Sequence, residues 1–228
     1  MNIQKTIIFS FLVIIVFLQS ACFMPVSNHF ETAKTLKKNN LEASVNVSYY
    51  EASSDDDGDN DGISSFNYGA QISYGLADDF DFKLRYEYLN YNNKPESVPT
   101  INRLFPGIDD PSLHYISIST KSSLIEDKLA FSVPVSFYLN EESTFVLVSP
   151  MIIATHTFNQ HVDVSCSGTF QVMLNGLGLG LGLSTGINFG MGFSTDLEKW
   201  AIRPEVSLNT MGAAYYSAGI GFKYKLTN

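Results

Sequence analysis

From Leu41 onward the chain sorts large apolar residues and small or polar residues onto alternate positions. The clearest stretch runs from Gly176 to Phe193. Gly176, Gly178, Gly180, Gly182, Ser184, Gly186, Asn188, Gly190 and Gly192 alternate there with Leu177, Leu179, Leu181, Leu183, Thr185, Ile187, Phe189, Met191 and Phe193. A helix would scatter both sets around its axis, whereas a strand puts successive side chains on opposite faces. The stretch is therefore predicted as a β-strand with one small face and one greasy face. The same sorting places Phe80, Phe82, Leu84, Tyr86 and Tyr88 opposite Asp81, Lys83, Arg85 and Glu87. It recurs as Ile202, Val206 and Leu208 against Arg203, Glu205, Ser207 and Asn209. In the last segment Tyr216, Ala218, Ile220, Phe222, Tyr224 and Leu226 face away from Ser217, Gly219, Gly221, Lys223 and Lys225.

Weaker copies cover Leu41 to Tyr49, Phe66 to Leu76, Ile116 to Leu124, Leu129 to Leu139 and Val162 to Leu174. Thr144 to His156 is apolar on both faces and has no assignable phase. With it, the pattern predicts about ten strands of roughly ten residues or more, the length a tilted strand needs to cross a bilayer. Gly75-Leu76-Ala77-Asp78, Glu126-Asp127-Lys128 and Asn140-Glu141-Glu142-Ser143 read as short turns, whereas the connections near 51–63 and 90–112 are long. Long and short connections alternate in the first half of the chain, as in an up-and-down barrel with long loops at one end and short turns at the other, and the asymmetry fades after residue 125.

Composition adds the environment. Of 228 residues 45% are hydrophobic and only 16% charged, against roughly 25% charged in soluble domains. The one long apolar run, Ile7 to Leu18, follows Lys5 and precedes Ser20 and Ala21, so residues 1–21 read as an export signal peptide. Leu18-Gln19-Ser20-Ala21-Cys22 resembles a bacterial lipobox, which implies a lipid anchor on Cys22; ordinary cleavage with Cys22 as a bystander is the alternative. Residues 22–40 lack a sustained period and read as a polar tether before the barrel domain, residues 41–228. Besides Cys22 the chain has only Cys166, so an acylated Cys22 leaves no intramolecular disulfide. The net charge of -9 argues against a nucleic-acid partner, which needs clustered Lys and Arg.

Alternation alone does not say whether the greasy face looks inward or outward. The polar face is built from Gly, Ser and Asn with a few long charges, which suits a crowded interior better than bulk water. The phased apolar faces carry no charge, and Tyr49, Tyr68, Tyr74, Tyr88, Trp200 and Tyr224 gather near predicted strand ends as interfacial girdles do. Leader, lipobox-like run, tether and period-two strands up to Tyr224 together resemble the small outer-membrane β-barrel proteins of Gram-negative bacteria. The resemblance implies an exported, closed antiparallel all-β barrel in the outer membrane with membrane lipid as its partner, in a structural, surface-binding or narrow-pore role. A lipid-anchored soluble β-barrel or sandwich that binds a ligand is the other reading. Pro134, Pro150 and Pro204 fall inside strands, where each removes a ladder donor and predicts irregular pairing.

Candidate chemistry is sparse. Lys83, Arg85, Glu87, Lys121, Arg203, Glu205, Lys223 and Lys225 are expected to point into the lumen, where opposite charges pair. Asp57, Asp59 and Asp61 before Gly62 resemble the opening of a Ca²⁺ loop, but Tyr68 stands where the bidentate Glu belongs, and a solvated loop tip is the alternative. An outer-membrane hydrolase is a further alternative, resting on Asp109, Asp110 and His114 in the second long loop. His161 and Asp163 share a face near a short turn, and no nucleophile motif accompanies either group. No enzyme activity and no cofactor beyond that calcium are expected.

Overall fold

The computed structural model describes Val26 and residues 28–52, 63–91, 112–139, 144–175, 181–210 and 214–227. The strands are β1 (Leu41–Ala52), β2 (Ile63–Ala77), β3 (Phe80–Tyr91), β4 (Ser112–Ile125), β5 (Leu129–Leu139), β6 (Thr144–Val148), β7 (Met151–Asn159), β8 (Val162–Asn175), β9 (Leu181–Phe193), β10 (Trp200–Thr210) and β11 (Ala214–Lys225). Neighbours in sequence pair antiparallel, β6 and β7 apart, and β11 returns to β1 with Glu42 opposite Lys225 and Ala52 opposite Tyr215. Both β6 and β7 pair with β5 on one side and β8 on the other, so the two form a single crossing. The result is a closed ten-stranded antiparallel barrel, which satisfies every ladder without a free edge, as a spanning sheet requires.

The prolines mark the wall's irregularities. Pro134 lies between the residues of β5 that pair with β7 and those that pair with β6. Its carbonyl accepts from Ser149 N–H at 2.9 Å, while the Pro150 carbonyl accepts from Phe170 N–H at 3.0 Å, so the break at Ser149–Pro150 is bridged on both sides. Around Pro204 the β9–β10 ladder is interrupted between Ile202 and Glu205. The other register shifts sit beside short turns, at Gly75/Ala77, Ser123/Ile125 and Thr157/Asn159.

Apolar residues look outward. Phe189 is 56% exposed, Ile220 48% and Phe82 39%, whereas Arg85 on the same strand as Phe82 is 6% exposed. A soluble barrel or sandwich requires the reverse, because exposed greasy surface in water is unfavourable in proportion to its area. Acyl chains remove that cost, and the inverted arrangement is that of a transmembrane barrel. The stretch from Thr144 to His156 proves to have a phase: Phe145, Leu147, Met151 and Ile153 are buried inward and Ile152 is exposed outward. It reads as apolar on both faces because its lumen side also has an apolar partner, Ala33, in a cluster with Ala130, Met151 and Ile153.

That partner belongs to the stretch read from the sequence as a polar tether, residues 22–40, of which Val26 and residues 28–40 are described. Residues 28–33 run inside the lumen, with Asn28 and Ala33 fully buried and Val26 buried ahead of them, and residues 34–37 emerge half-buried at the short-turn mouth. A ten-stranded barrel is wider than its side chains alone fill, and this segment occupies the surplus. It reverses into β1 through Lys37 and Asn39, both in the left-handed backbone region at φ 64° and 65°, and Asn39 N–H donates to the Gly75 carbonyl at 2.8 Å.

Candidate functional site in the lumen

The lumen is layered. At the mouth beside the long connections, Tyr50, Leu89, Leu113, Tyr115, Tyr138, Phe145 and Tyr215 form a buried apolar and tyrosine collar. Towards the short turns the wall becomes charged, and the N-terminal segment threads both layers.

Of the eight inward charges, all but Lys225 have a definite partner. Lys83 pairs with Glu31 of the threaded segment. Lys121 lies 3.3 Å from Asp81 and 3.8 Å from Glu31, and it also donates to the Thr32 and Lys34 carbonyls. Arg85 pairs with Glu87 on its own strand and donates to the Asn28 carbonyl at 2.5 Å. Arg203 Nη1 donates to Asp163 Oδ1 at 2.7 Å and Nη2 to Ser165 Oγ at 3.1 Å. Glu205 takes no cation within bonding distance among the described residues; its carboxylate accepts from the His29 and Phe30 backbone N–H at 2.6 and 2.8 Å. Lys223 pairs with Glu42 at 3.4 Å, half-buried, and Lys225 is also half-buried beside it. The last two line a cavity of about 100 Å³ at the short-turn mouth, together with Glu31, Asp81, Lys83 and Lys121.

The small face of β9 explains how long charges fit. Gly192 lies between Asp163 of β8 and Arg203 of β10, and a Cβ there would meet the Arg203 guanidinium and come within 2.5 Å of Asp163 Oδ1. The ion pair thus crosses over β9 at a position that presents no side chain. Gly219 and Gly221 perform the same service for the Phe30 ring, which a Cβ would meet at 2.8 and 3.0 Å.

Sequence reasoning placed the eight cations and anions of the wall on the lumen face but missed Glu31, Asp81 and Asp163 as their partners. A charge count was the available signal. Lys83, Arg85, Lys121 and Arg203 outnumber Glu87 and Glu205 on the buried wall, and unpaired buried charge is too costly to leave uncompensated. Glu31 could not be placed from periodicity, because its segment has none.

The remaining candidates do not join this site. His114 faces outward, its Nδ1 2.9 Å from Tyr86 Oη and its ring beside Tyr88. Asp109 and Asp110 lie outside the described residues. His161 sits exposed in the turn before β8 with Nδ1 3.2 Å from the Ser194 carbonyl, while Asp163 is buried with Arg203, so the two do not act as a pair. Asp57, Asp59, Asp61, Cys22 and Leu179 also lie outside the described residues.

No protein-family model matches the sequence, and no curated protein does. Among solved structures, the chain is similar to an outer membrane channel from Pseudomonas putida F1, at 7% identity and a TM-score of 0.54, over 90% of this chain and 100% of that one. It is also similar to the translocator domain of the autotransporter NalP from Neisseria meningitidis, at 7% identity and a TM-score of 0.48, over 82% and 89%. At 7% identity the first likeness is one of fold.

Proposed function

We propose that this barrel, an outer-membrane protein by its fold and its apolar belt, is a narrow pore closed by its own N-terminal segment. The observation that carries the reading is the passage of residues 28–33 through the lumen, with Asn28, His29, Thr32 and Ala33 buried, secured by Glu31 to Lys83 and by Glu205 to two backbone N–H groups. With the segment in place, the collar seals one end and paired charges fill the middle. Displacing it would leave a lumen lined by Lys83, Lys121, Arg203 and Glu205.

Planar-bilayer recording tests this. Wild-type protein is expected to conduct little, and a variant lacking residues 26–37 to conduct steadily. A wild type that is already open would overturn the closure, and a silent deletion variant that still folds would reduce the segment to a structural filler. Glu205→Ala is expected to raise the open probability by removing the carboxylate that holds the His29 and Phe30 N–H groups, and Arg203→Ala by unpairing Asp163 in the wall behind them. The buried ion pairs favour the purely structural reading as the second candidate, and the same recordings decide between the two.

Three narrower proposals stand beside this one. An acyl anchor on Cys22 predicts palmitate incorporation by the wild type that Cys22→Ser abolishes. Calcium held by Asp57, Asp59 and Asp61 predicts sensitised terbium luminescence at millimolar metal or below. A non-enzymatic barrel predicts that Asp110→Ala and His114→Ala leave any hydrolysis by purified protein at background.

A further inference from the structure

The cavity of about 100 Å³ at the short-turn mouth lies between the threaded segment and a wall that includes β11, β1, β2 and β3. One row of directly opposed residues crosses that wall: Lys225 faces Glu42, Glu42 faces Ser73, and Ser73 faces Lys83. Neighbouring strands lie about 4.8 Å apart, so the row measures roughly 14 Å along the wall, with a lysine at each end. All four side chains line the cavity. Ser73 and Lys83 are 2% and 4% exposed, and Glu42 and Lys225 are half-buried.

The hydrogen-bonding capacity of this row is lopsided. An ammonium group carries three donors and no acceptor. Lys83 directs one donor at Glu31 and Lys223 one at Glu42, 3.4 Å away, while Lys225 has no carboxylate within 4 Å among the described residues. Ser73 Oγ accepts from Gln71 Nε2 at 3.1 Å, which leaves its own O–H to donate elsewhere. The inner carboxylates are already engaged: Glu31 by Lys83 and Lys121, Asp81 by Lys121 and the Leu36 N–H, and Glu42 by Lys223. Lys121 is spent as well, on Asp81 and on the Thr32 and Lys34 carbonyls. The acids at the rim, Glu126, Asp127 and Glu198, stand in exposed turns, where Lys37 and Lys34 answer two of them. Four lysines thus meet three carboxylates in the inner cavity, and the capacity left over consists of donors.

We propose that this cavity binds a small oxyanion, a carboxylate or a phosphate carried by a free solute, with Lys225 and Lys83 reaching it from the two ends of the row and the Ser73 hydroxyl donating between them. An ionised oxygen acceptor makes the shortest and strongest hydrogen bonds to such donors. A cation finds no counterpart, because the carboxylates of the inner cavity are taken. The flexible lysine stems let both ammonium groups close on one guest. The row lies on the lumen face, so the occupant is a dissolved molecule rather than the headgroup of a bilayer lipid. The site stands whether or not the pore conducts.

Titration calorimetry of the folded protein in a zwitterionic detergent at low ionic strength tests this, with inorganic phosphate and acetate as separate probes. Saturable binding of at least one probe at millimolar concentration is expected, and the tighter probe distinguishes phosphate from carboxylate as the preferred group. Lys225→Met is expected to weaken that binding about tenfold, the loss of one charge-assisted hydrogen bond, and Ser73→Ala to weaken it less. Lys199→Met removes an ammonium group that is 67% exposed and outside the cavity, and should leave binding unchanged. Absence of binding by both probes overturns the proposal, as does an equal loss in Lys199→Met and Lys225→Met, which marks a diffuse surface attraction. If Lys225→Met fails to fold, as judged by heat-modifiable gel migration, the wild type alone decides. Phosphate or acetate is then expected to slow reductive methylation of Lys225 but not of Lys199, mapped by peptide mass spectrometry, and equal rates with and without the probes overturn the site.

Discussion

At the residue scale, the lumen shows how much a partner decides the value of a charge. Arg203 is 1% exposed and Asp163 2% as side chains, and removing one member of such a pair leaves the other buried without compensation, at a cost of about 3–5 kcal/mol. Asp163→Ala is expected to lower the urea midpoint of unfolding from vesicles accordingly. The double variant Asp163→Leu with Arg203→Met should recover most of that loss, because a well-packed apolar pair substitutes for a buried ion pair at little cost. The rim pair Lys37–Glu126 behaves otherwise. Its hydrogen bond at 2.7 Å raises the Lys37 pKa above the usual lysine value and lowers that of Glu126 below the usual carboxylate value, but both groups are solvent-exposed. The lysine contribution is fully present below the unfolded lysine pKa and is lost as pH rises through its raised value. The carboxylate contribution is present above the unfolded carboxylate pKa and is lost as pH falls through its lowered value. Across neutral pH the pair is therefore constant, and Glu126→Ala is expected to leave the unfolding midpoint unchanged within error.

At the scale of elements, the glycines of β9 and β11 do different work from a glycine on the outer face. Gly219 underlies the Phe30 ring, and any side chain there must push the threaded segment away. Gly168 on β8 is exposed outward, with nothing within 4 Å of where its Cβ would stand. Gly219→Leu is expected to loosen the segment and raise single-channel conductance, whereas Gly168→Leu leaves conductance as in the wild type. Equal behaviour of the two variants would separate the segment from the closure. The β5–β6–β7 region shows the converse dependence. Pro134 and Pro150 were legible as ladder interruptions, yet the inward phase of Phe145, Leu147, Met151 and Ile153 was not. It depends on Ala33 and the collar, which a local pattern does not report.

For the whole molecule, the decisive quantity is the direction of the two faces. Phe189→Arg puts a charge at a position 56% exposed on the apolar belt. Near the bilayer centre this costs about 2–4 kcal/mol, read as a loss of folding yield and stability in vesicles. Ser207→Ala, inside the lumen at 6% exposure, is expected to fold with a yield near that of the wild type. A result in which both variants fold equally well would contradict the lipid-facing belt.

The period of two, the capped length of each segment and the absence of charge on the greasy side follow from the sequence alone, because a strand's side-chain alternation is a local property of its backbone. These features sufficed for a ten-crossing barrel and for the inward aim of Lys83, Arg85, Lys121, Arg203 and Glu205. The contents of the barrel were not legible in this way. Residues 28–37 have no period of their own; they are ordered by groups brought together from β1, β3, β4, β7 and β10, such as Tyr50, Lys83, Lys121, Thr155 and Glu205. Closure of the sheet alone assembles those groups around one axis. The course of the threaded segment, its direction and the pairing of Glu31, Asp81 and Asp163 were therefore decided by tertiary structure, since the free energy that fixes them is shared among residues far apart in the chain.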